Sequence, residues 1–173
     1  MRKALLAIFL IFSFNLYGAG AKIDIPKYDW SWKGFFGTYD RASAQRGLKV
    51  YREVCAGCHS MNYLSYRNLA DLGFSEDHIK AIAAEHLVLD GPNDEGEMFE
   101  RDGIPSDQFV NPYLNEKAAR AANNGAYPPD LSLIVKARPK GADYIKALLL
   151  GYVDPPEDIK VPKGQHYNKY MAC

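Results

Sequence analysis

The segment that most constrains this chain is Cys55-Ala56-Gly57-Cys58-His59, a Cys-x-x-Cys-His motif. Cysteines three positions apart on one helical turn point in the same direction, so both sulfur atoms can bond to the vinyl groups along one edge of a porphyrin. His59 then lies beneath the ring, where a neutral imidazole nitrogen can bind the iron. We expect its other ring nitrogen to donate to a backbone carbonyl, which fixes the tautomer. The motif therefore predicts one covalently bound haem c, attached at Cys55 and Cys58, with His59 as an axial ligand.

Three other uses of two nearby cysteines fit the sequence less well. A thioredoxin-like redox site would follow a strand, whereas the pattern before Cys55 is helical. A structural zinc site would need a second pair of ligands, and Cys173 is the only further cysteine. A simple disulfide can form in an oxidising compartment, but it would leave His59 unexplained. Covalent haem is the interpretation that accounts for all three side chains of the motif.

The bulk composition is that of one globular domain. The chain has 173 residues, of which 47% are hydrophobic and 13% aromatic, enough to build a core around a large aromatic cofactor. The formal charge of the whole chain is zero. Loss of a leader carrying Arg2 and Lys3 would leave a net charge of −2. This balance argues against nucleic acid as a partner and is compatible with a basic protein partner.

Residues 1–21 have the form of a secretory signal peptide. Arg2-Lys3 supply the charged start, an apolar run extends from Ala4 to about Phe14, and Ala19-Gly20-Ala21 form a small-residue cleavage site. The apolar run is too short to span a bilayer comfortably, with an uncleaved anchor as the alternative. We therefore predict export, with residues 22–173 forming one haem-binding domain.

Capping signals predict several helices after an aromatic-rich arm. Asp40, Ser75 and Asn115 are good N-caps, and Gly125 is a good stop signal. The predicted helices are 41–54, one starting at Glu76, 115–123 and 142–150, whereas 90–113 is expected to be a long ordered loop. We expect the arm, residues 22–39, to pack against the haem domain or a partner subunit. The predicted fold class is mainly α: a cytochrome c-like, haem-wrapping helical domain with long loops.

Some residues have more than one interpretation from the sequence alone. His78 and His86 are expected to be ordinary surface or edge residues. The acidic side chains in 90–102 fit either a solvated loop or a docking surface for a basic electron carrier. Arg120 fits either a surface position or a bidentate pairing with a haem propionate. Pro128-Pro129 is a stiff turn that could lie against a haem edge.

Several blocks of the sequence form a more specific pattern when taken together. They are Trp30-Ser31-Trp32, Phe36 to Arg41, Gln45-Arg46-Gly47, Glu53 to Met61, Asp90 to Gly96, and Asn115 to Ser132. Together they resemble the cytochrome c1 family, and the similarity covers almost everything after the leader. That family is the haem-bearing subunit of the ubiquinol–cytochrome c reductase, or cytochrome bc1, complex.

The resemblance implies an electron-transfer subunit of an oxidoreductase, with no catalytic chemistry and no catalytic residues of its own. It implies that Cys55 and Cys58 form the thioethers, that His59 is the proximal ligand and that Arg120 pairs with a propionate. It also favours the docking interpretation of the acidic segment. The implied partners are cytochrome b, the mobile iron–sulfur subunit that donates the electron and a soluble cytochrome c that accepts it. Because the leader is bacterial in form, we expect the periplasmic side of a bacterial inner membrane, reached through the complex.

The sequence departs from the family at its C-terminal end. In relatives, a segment like Tyr167-Asn168-Lys169-Tyr170 is followed by a distal methionine ligand, a helix that packs on the first helix, and a membrane anchor. Here the chain stops at Cys173. We therefore expect a chain truncated at the C-terminus, in which the helix face around Gly47 and Tyr51 is exposed.

No distal haem ligand can be assigned from the sequence. Met61 is too close to His59 to reach the opposite face of the ring, Met98 sits in the acidic loop, and Met171 falls several positions short of the family's ligand. A methionine sulfur raises the haem potential. We therefore predict a five-coordinate haem, or one with a substitute ligand, and a lowered potential.

Two other functions compete with the leading one. A free periplasmic monohaem cytochrome c shuttle explains the leader and the haem motif, but not the family-specific blocks. A haem-based ligand sensor or peroxidase-like enzyme would need a distal acid–base residue near the iron, and no histidine is placed for that role.

Overall fold

The computed structural model describes residues 23–171, so the predicted signal peptide lies outside the described residues. The described chain forms two compact units, one comprising residues 28–141 and the other residues 23–27 together with 142–171. No helix in this part of the chain is both long enough and apolar enough to cross a bilayer. The haem motif lies in the larger unit.

The first three helices of the larger unit begin where the sequence predicts them, whereas the fourth, a single turn, was not predicted. They are α1 (Arg41–Glu53), α2 (Glu76–Ala84), α3 (Glu116–Ala122) and the single turn α4 (Ile134–Ala137). Side-chain oxygens of Asp40, Ser75 and Asn115 accept the backbone N–H three residues later, at 3.1, 3.3 and 3.0 Å. These N–H groups have no partner within their own helix, so each cap replaces a missing hydrogen bond. The chain leaves α3 with a left-handed Gly125, at φ +86°.

A short 3-10 helix from Tyr66 to Leu72 was not predicted. Ser65 and Asn68 form a reciprocal capping box at its start, and Gly73 ends it at φ +88°. The capping box uses asparagine where glutamate or glutamine is usual, which explains why this signal is hard to recognise in the sequence.

The prediction of a long ordered loop over 90–113 was wrong for Asp90 and for residues 99–102, which belong to two strands. β1 (Leu87–Asp90) and β2 (Phe99–Asp102) form an antiparallel hairpin in which Leu87 lies opposite Asp102. The Asn93 side chain closes the connection by accepting the backbone N–H groups of Glu95 and Glu97 at 3.1 and 2.8 Å. The strands carry charged residues without a clear apolar alternation, so a period of two is not visible in the sequence.

The core of the larger unit is built around stacked aromatic rings. Tyr66 stacks on Phe109 with ring centroids 4.7 Å apart, and Tyr51 meets Phe109 edge-on at 6.0 Å. The buried core residues are Tyr51, Tyr66, Leu69, Ile79, Ile82, Ala83 and Phe109. Cys55 and Met61 pack against the edge of this cluster, which anchors the haem motif to the folded core.

Among the described residues Gly47 of α1 is exposed, whereas the predicted exposure of Tyr51 is wrong. A Cβ atom built on Gly47 would meet no heavy atom within 4 Å. Tyr51 is only 7% exposed, because Phe109 covers its ring. A residue from a loop, far along the chain, supplies packing that a local helical pattern does not reveal.

Three aromatic rings of the arm stack on one another. Trp30 stacks on Trp32 at 4.5 Å between centroids, and Trp32 stacks on Tyr39 at 5.0 Å. Phe35 and Phe36, in contrast, are 95% and 90% exposed.

The smaller unit contains α5 (Ala142–Leu150), as the sequence predicts. Asn168 is buried here, where its side-chain amide donates to the Leu148 carbonyl at 2.7 Å and accepts the Tyr170 N–H at 3.0 Å. A Cβ on Gly151 would lie 2.5 Å from the Asn168 Oδ1 atom, so this close approach requires glycine.

Candidate haem-binding site

The haem motif forms one helical turn at the end of α1. The backbone N–H groups of Cys58 and His59 both donate to the Cys55 carbonyl, at 3.1 and 2.8 Å. Both cysteines of the motif are free thiols, Cys55 half-buried and Cys58 exposed. The turn therefore brings two unpaired sulfur atoms and an imidazole together within five residues, as the haem prediction requires.

His59 has the expected carbonyl partner, which belongs to Pro129. The His59 Nδ1 atom lies 2.8 Å from the Pro129 oxygen. Because a carbonyl can only accept, Nδ1 must carry the hydrogen, and the Nε2 atom then keeps the lone pair that can bind iron. The Tyr51 hydroxyl also donates to the His59 carbonyl at 3.2 Å, which restrains the backbone of the same residue. Burial, and next the charge of Asp130, raise the pKa of Tyr51 to about 12, so this donor stays protonated.

Asp130, the residue after Pro129, binds the segment that follows His59. Its Oδ2 atom accepts the Ser60 hydroxyl at 2.9 Å and the Asn62 N–H at 2.8 Å, while its Oδ1 atom accepts the Ser132 N–H at 2.8 Å. Burial alone would raise the pKa of Asp130. The hydrogen bonds from Asn62, Ser132 and Ser60 outweigh it and lower this pKa to about 2.

Backbone bonds complete the connection between the two segments. The Leu131 N–H donates to the Ser60 carbonyl at 2.9 Å, and the Tyr63 N–H donates to the Ser132 hydroxyl at 3.0 Å. Sequence reasoning missed these contacts. The Asp-x-Ser spacing of Asp130 and Ser132 is a signal for the local turn, but it does not reveal a partner almost 70 residues away.

A cleft beside Cys58 is lined by polar side chains, among them Asn62 and Glu116, as well as by aromatic and apolar ones. Tyr113, Leu114, Tyr127 and Pro128 line it together with Cys58 itself. The Tyr113 hydroxyl lies 3.8 Å from the Cys58 sulfur. Two free thiols on one turn and an imidazole with an available Nε2 atom fit the attachment of a covalently bound haem.

Arg120 is held close to this cleft by partners within the protein. Its Nε and Nη2 atoms lie 2.8 and 2.7 Å from Glu116 Oε1, and its Nη1 atom donates to the Gly125 carbonyl at 2.9 Å. The guanidinium also lies 5.6 Å from the centre of the Tyr127 ring, which lines the cleft. A propionate would therefore share Arg120 with Glu116, and the propionate role stays a prediction.

Two methionines and two histidines outside the motif bear on the ligand predictions. Met61 packs against the core, and Met98 is exposed in the hairpin, so the distal ligand stays unassigned. His78 Nδ1 lies 3.0 Å from the Ser75 hydroxyl, and His86 stacks on Tyr66 at 5.8 Å. His78 is exposed and His86 is half-buried, as the sequence predicts for surface or edge residues.

The acidic segment is displayed on an ordered hairpin. Arg101 on β2 forms ion pairs with Asp90 and with Asp107, the latter through two bonds of 2.7 and 3.0 Å. The carboxylates of Asp94, Glu95, Glu97 and Glu100 are exposed around the hairpin. Fixing the backbone in this way holds several negative charges in one surface region.

Comparison with known proteins identifies relatives over most of the chain. Residues 30–173 match the Cytochrome C1 family. The chain is 56% identical over 149 residues to "Cytochrome c1 1, heme protein, mitochondrial" of Arabidopsis thaliana, covering 86% of this chain and 48% of that protein. It is 56% identical over 130 residues to "Cytochrome c1" of Rhodospirillum rubrum, covering 75% and 48%. It is 52% identical over 147 residues to "Cytochrome b-c1 complex catalytic subunit, mitochondrial" of Candida albicans, covering 84% and 51%. The chain thus spans about half the length of the curated relatives it matches.

Proposed function

Because the chain belongs to the cytochrome c1 family, we propose that it is the haem-bearing electron-transfer subunit of a ubiquinol–cytochrome c reductase, or cytochrome bc1, complex. The observation that carries the proposal is the bond between His59 Nδ1 and the Pro129 carbonyl beside two free thiols of one turn. This arrangement would supply two sulfur attachment points and one imidazole ligand for a single haem c.

The residues of the chain attach, orient and shield the cofactor. The haem, when bound, supplies a one-electron redox centre. Cys55 and Cys58 would hold it in place, and His59 would present its Nε2 atom to the iron. The carbonyl of Pro129 keeps the proton on His59 Nδ1 and orients the ring. Since electron transfer between redox partners requires no new covalent bond, the chain itself has no bond-making chemistry to perform.

Electrons would arrive from the iron–sulfur subunit and leave to a soluble cytochrome c. The exposed carboxylates of the hairpin support docking of a basic acceptor, because complementary charge raises the rate of encounter. This rate should fall steeply as ionic strength rises, since salt screens exposed charges. The proposal also includes cytochrome b as a neighbouring subunit.

The proposed setting is the periplasmic side of a bacterial inner membrane, reached through the complex after export by the leader. Residues 22–173 would form one mainly α, haem-wrapping domain with the small hairpin as an addition. The helices and capping residues around the motif support this architecture.

The first experiment tests covalent haem. The chain is produced with a c-type cytochrome maturation system, and the pigment is extracted with acid-acetone. We expect red protein whose pigment stays attached, and loss of this attachment in the Cys55→Ser/Cys58→Ser double variant. Cys173→Ser is the matched control, because it removes a cysteine outside the motif, and it should keep the pigment. Colourless wild-type protein, or pigment that is extracted, would contradict the proposal.

The second experiment separates a complex subunit from a free shuttle. The haem-loaded chain is expressed together with cytochrome b and the iron–sulfur subunit, and cytochrome b is purified through an affinity tag. We expect the red chain to co-purify in stoichiometric amounts. Recovery only as a monomer in the soluble fraction would favour the shuttle instead. Membership of the cytochrome c1 family supports the complex.

A further inference from the structure

We propose that Asp130 is a positioning residue for the axial histidine, which holds the Pro129 carbonyl against His59 Nδ1 and thereby adjusts the reduction potential of the bound haem. This inference rests on the proposed haem function. It assigns to Asp130 a role in the redox chemistry, beyond its role in joining two loops.

Asp130 and its partner Ser60 are the chain neighbours of Pro129 and His59. Pro129 immediately precedes Asp130, and His59 immediately precedes Ser60. The bond of 2.9 Å between the Ser60 hydroxyl and Asp130 Oδ2 therefore joins the direct neighbours of the two residues in the His59–Pro129 bond. Any separation of the two segments must break the carboxylate contact and lengthen the bond to the imidazole together.

The Asp130 carboxylate is held by several short hydrogen bonds. The same carboxylate accepts the Asn62 N–H at 2.8 Å and the Ser132 N–H at 2.8 Å, so three donors fix its orientation. Hydrogen bonds to an ionised acceptor are shorter and roughly twice as strong as neutral ones. The low pKa of Asp130 keeps the group ionised throughout the neutral range. Asp130 therefore supplies the strongest polar contacts between the two segments.

The hydrogen bond at His59 Nδ1 affects how strongly the ring can donate electrons to iron. A hydrogen bond from Nδ1–H to a carbonyl makes the ring a better electron donor at its other nitrogen. A better donor stabilises ferric iron more than ferrous iron, which lowers the reduction potential. Loosening the Pro129 carbonyl should therefore raise the potential, and the bound haem should shift toward the ferrous state at a fixed ambient potential.

The test compares Asp130→Ala and Asp130→Asn in the haem-loaded full chain. Asp107→Ala is the matched control, because Asp107 also accepts a backbone N–H, from Ile104 at 2.8 Å, but holds the hairpin through Arg101. The reduction potential is measured by spectroelectrochemical titration, and the His59 Nδ1–H resonance is measured by NMR of the ferrous protein. Loss of a group that is hydrogen-bonded to a metal ligand typically lowers metal affinity or activity 10–100-fold. Asp130 acts one residue further away, so we expect about a threefold to tenfold shift in the ferric–ferrous ratio for Asp130→Ala.

Asp130→Asn should recover part of this shift, because an amide oxygen can still accept a hydrogen bond. Asp107→Ala should lower the resistance to urea without moving the potential or the resonance. If Asp130→Ala fails to fold, Ser60→Ala provides the test, since it deletes only the hydroxyl contact and should shift the potential in the same direction by less.

An unchanged potential in these variants, or an equal change in Asp107→Ala, would overturn the positioning role and leave Asp130 a structural residue. Failure of the wild-type chain to retain haem would instead overturn the proposed function.

Discussion

Replacement of Arg120 by alanine gives the sharpest test of the predicted propionate partner. Arg120 makes three kinds of contact within the protein: the ion pair with Glu116 one helical turn away, the bond to the Gly125 carbonyl, and the approach to the Tyr127 ring. The ion pair is solvent-exposed, so it is worth about 0.3–0.5 kcal/mol. The exposed hydrogen bond and the cation–π contact add about 0.5 kcal/mol each. Arg120→Ala should therefore lower the free energy of unfolding by roughly 1.3–1.5 kcal/mol through these contacts alone.

The redox effect distinguishes a propionate partner from a surface arginine. Removal of a positive charge beside a propionate stabilises ferric iron, so the reduction potential of Arg120→Ala should fall. Glu116→Gln is the matched control, because it breaks the same ion pair but keeps the guanidinium available. It should cost about 0.3–0.5 kcal/mol without lowering the potential.

Two measurements on each variant, urea denaturation and redox titration of the haem-loaded chain, separate these effects. If Arg120→Ala destabilises the protein as expected but leaves the potential at the wild-type value, Arg120 is a structural surface residue. The propionate assignment would then be wrong.

Three further predictions follow from single contacts. Tyr51→Phe removes the bond to the His59 carbonyl and should cost about 1 kcal/mol in urea denaturation, and an unchanged midpoint would show that this bond contributes nothing. Asp130 has a folded pKa of about 2 against an ordinary value of 3.8, so its stabilising effect is complete above about pH 5 and is lost as the pH falls through about 2. The difference in unfolding free energy between the wild type and Asp130→Asn should shrink over this acid range, and a difference independent of pH would contradict the assignment. Gly103→Ala would place a Cβ atom 2.5 Å from the Ala83 carbonyl oxygen, so we expect a loss of about 1–3 kcal/mol in thermal or urea unfolding, and a wild-type midpoint would show that the backbone adjusts freely.

Much of the local structure could be predicted because it depends on residues close together in the chain. The helix starts after Asp40, Ser75 and Asn115 each rest on a side chain that bonds a backbone group three positions away. The haem motif is likewise a single turn closed by the Cys55 carbonyl. The resemblance carried by the blocks around these features identified the family correctly.

The hairpin and the buried Tyr51 could not be predicted from local pattern. The strands 87–90 and 99–102 are held by Arg101 and by turn contacts rather than by alternating apolar residues. Tyr51 is covered by Phe109, which lies in a segment without regular structure. The ion pair between Arg120 and Glu116, in contrast, could have been predicted from the sequence. Glu116 stands at the i, i+4 spacing at which side chains of a helix meet.

The sequence by itself determined which atoms are available for haem: two thiols on one turn and an imidazole next to them. Only the tertiary structure decided how that imidazole is held, because its carbonyl partner, Pro129, lies 70 residues further along the chain. Asp130 and the residues it binds bring the two segments together. Spacing along a chain fixes the directions of neighbouring side chains, whereas the hydrogen-bond partners of a ring nitrogen depend on which distant loops the folded core brings against it.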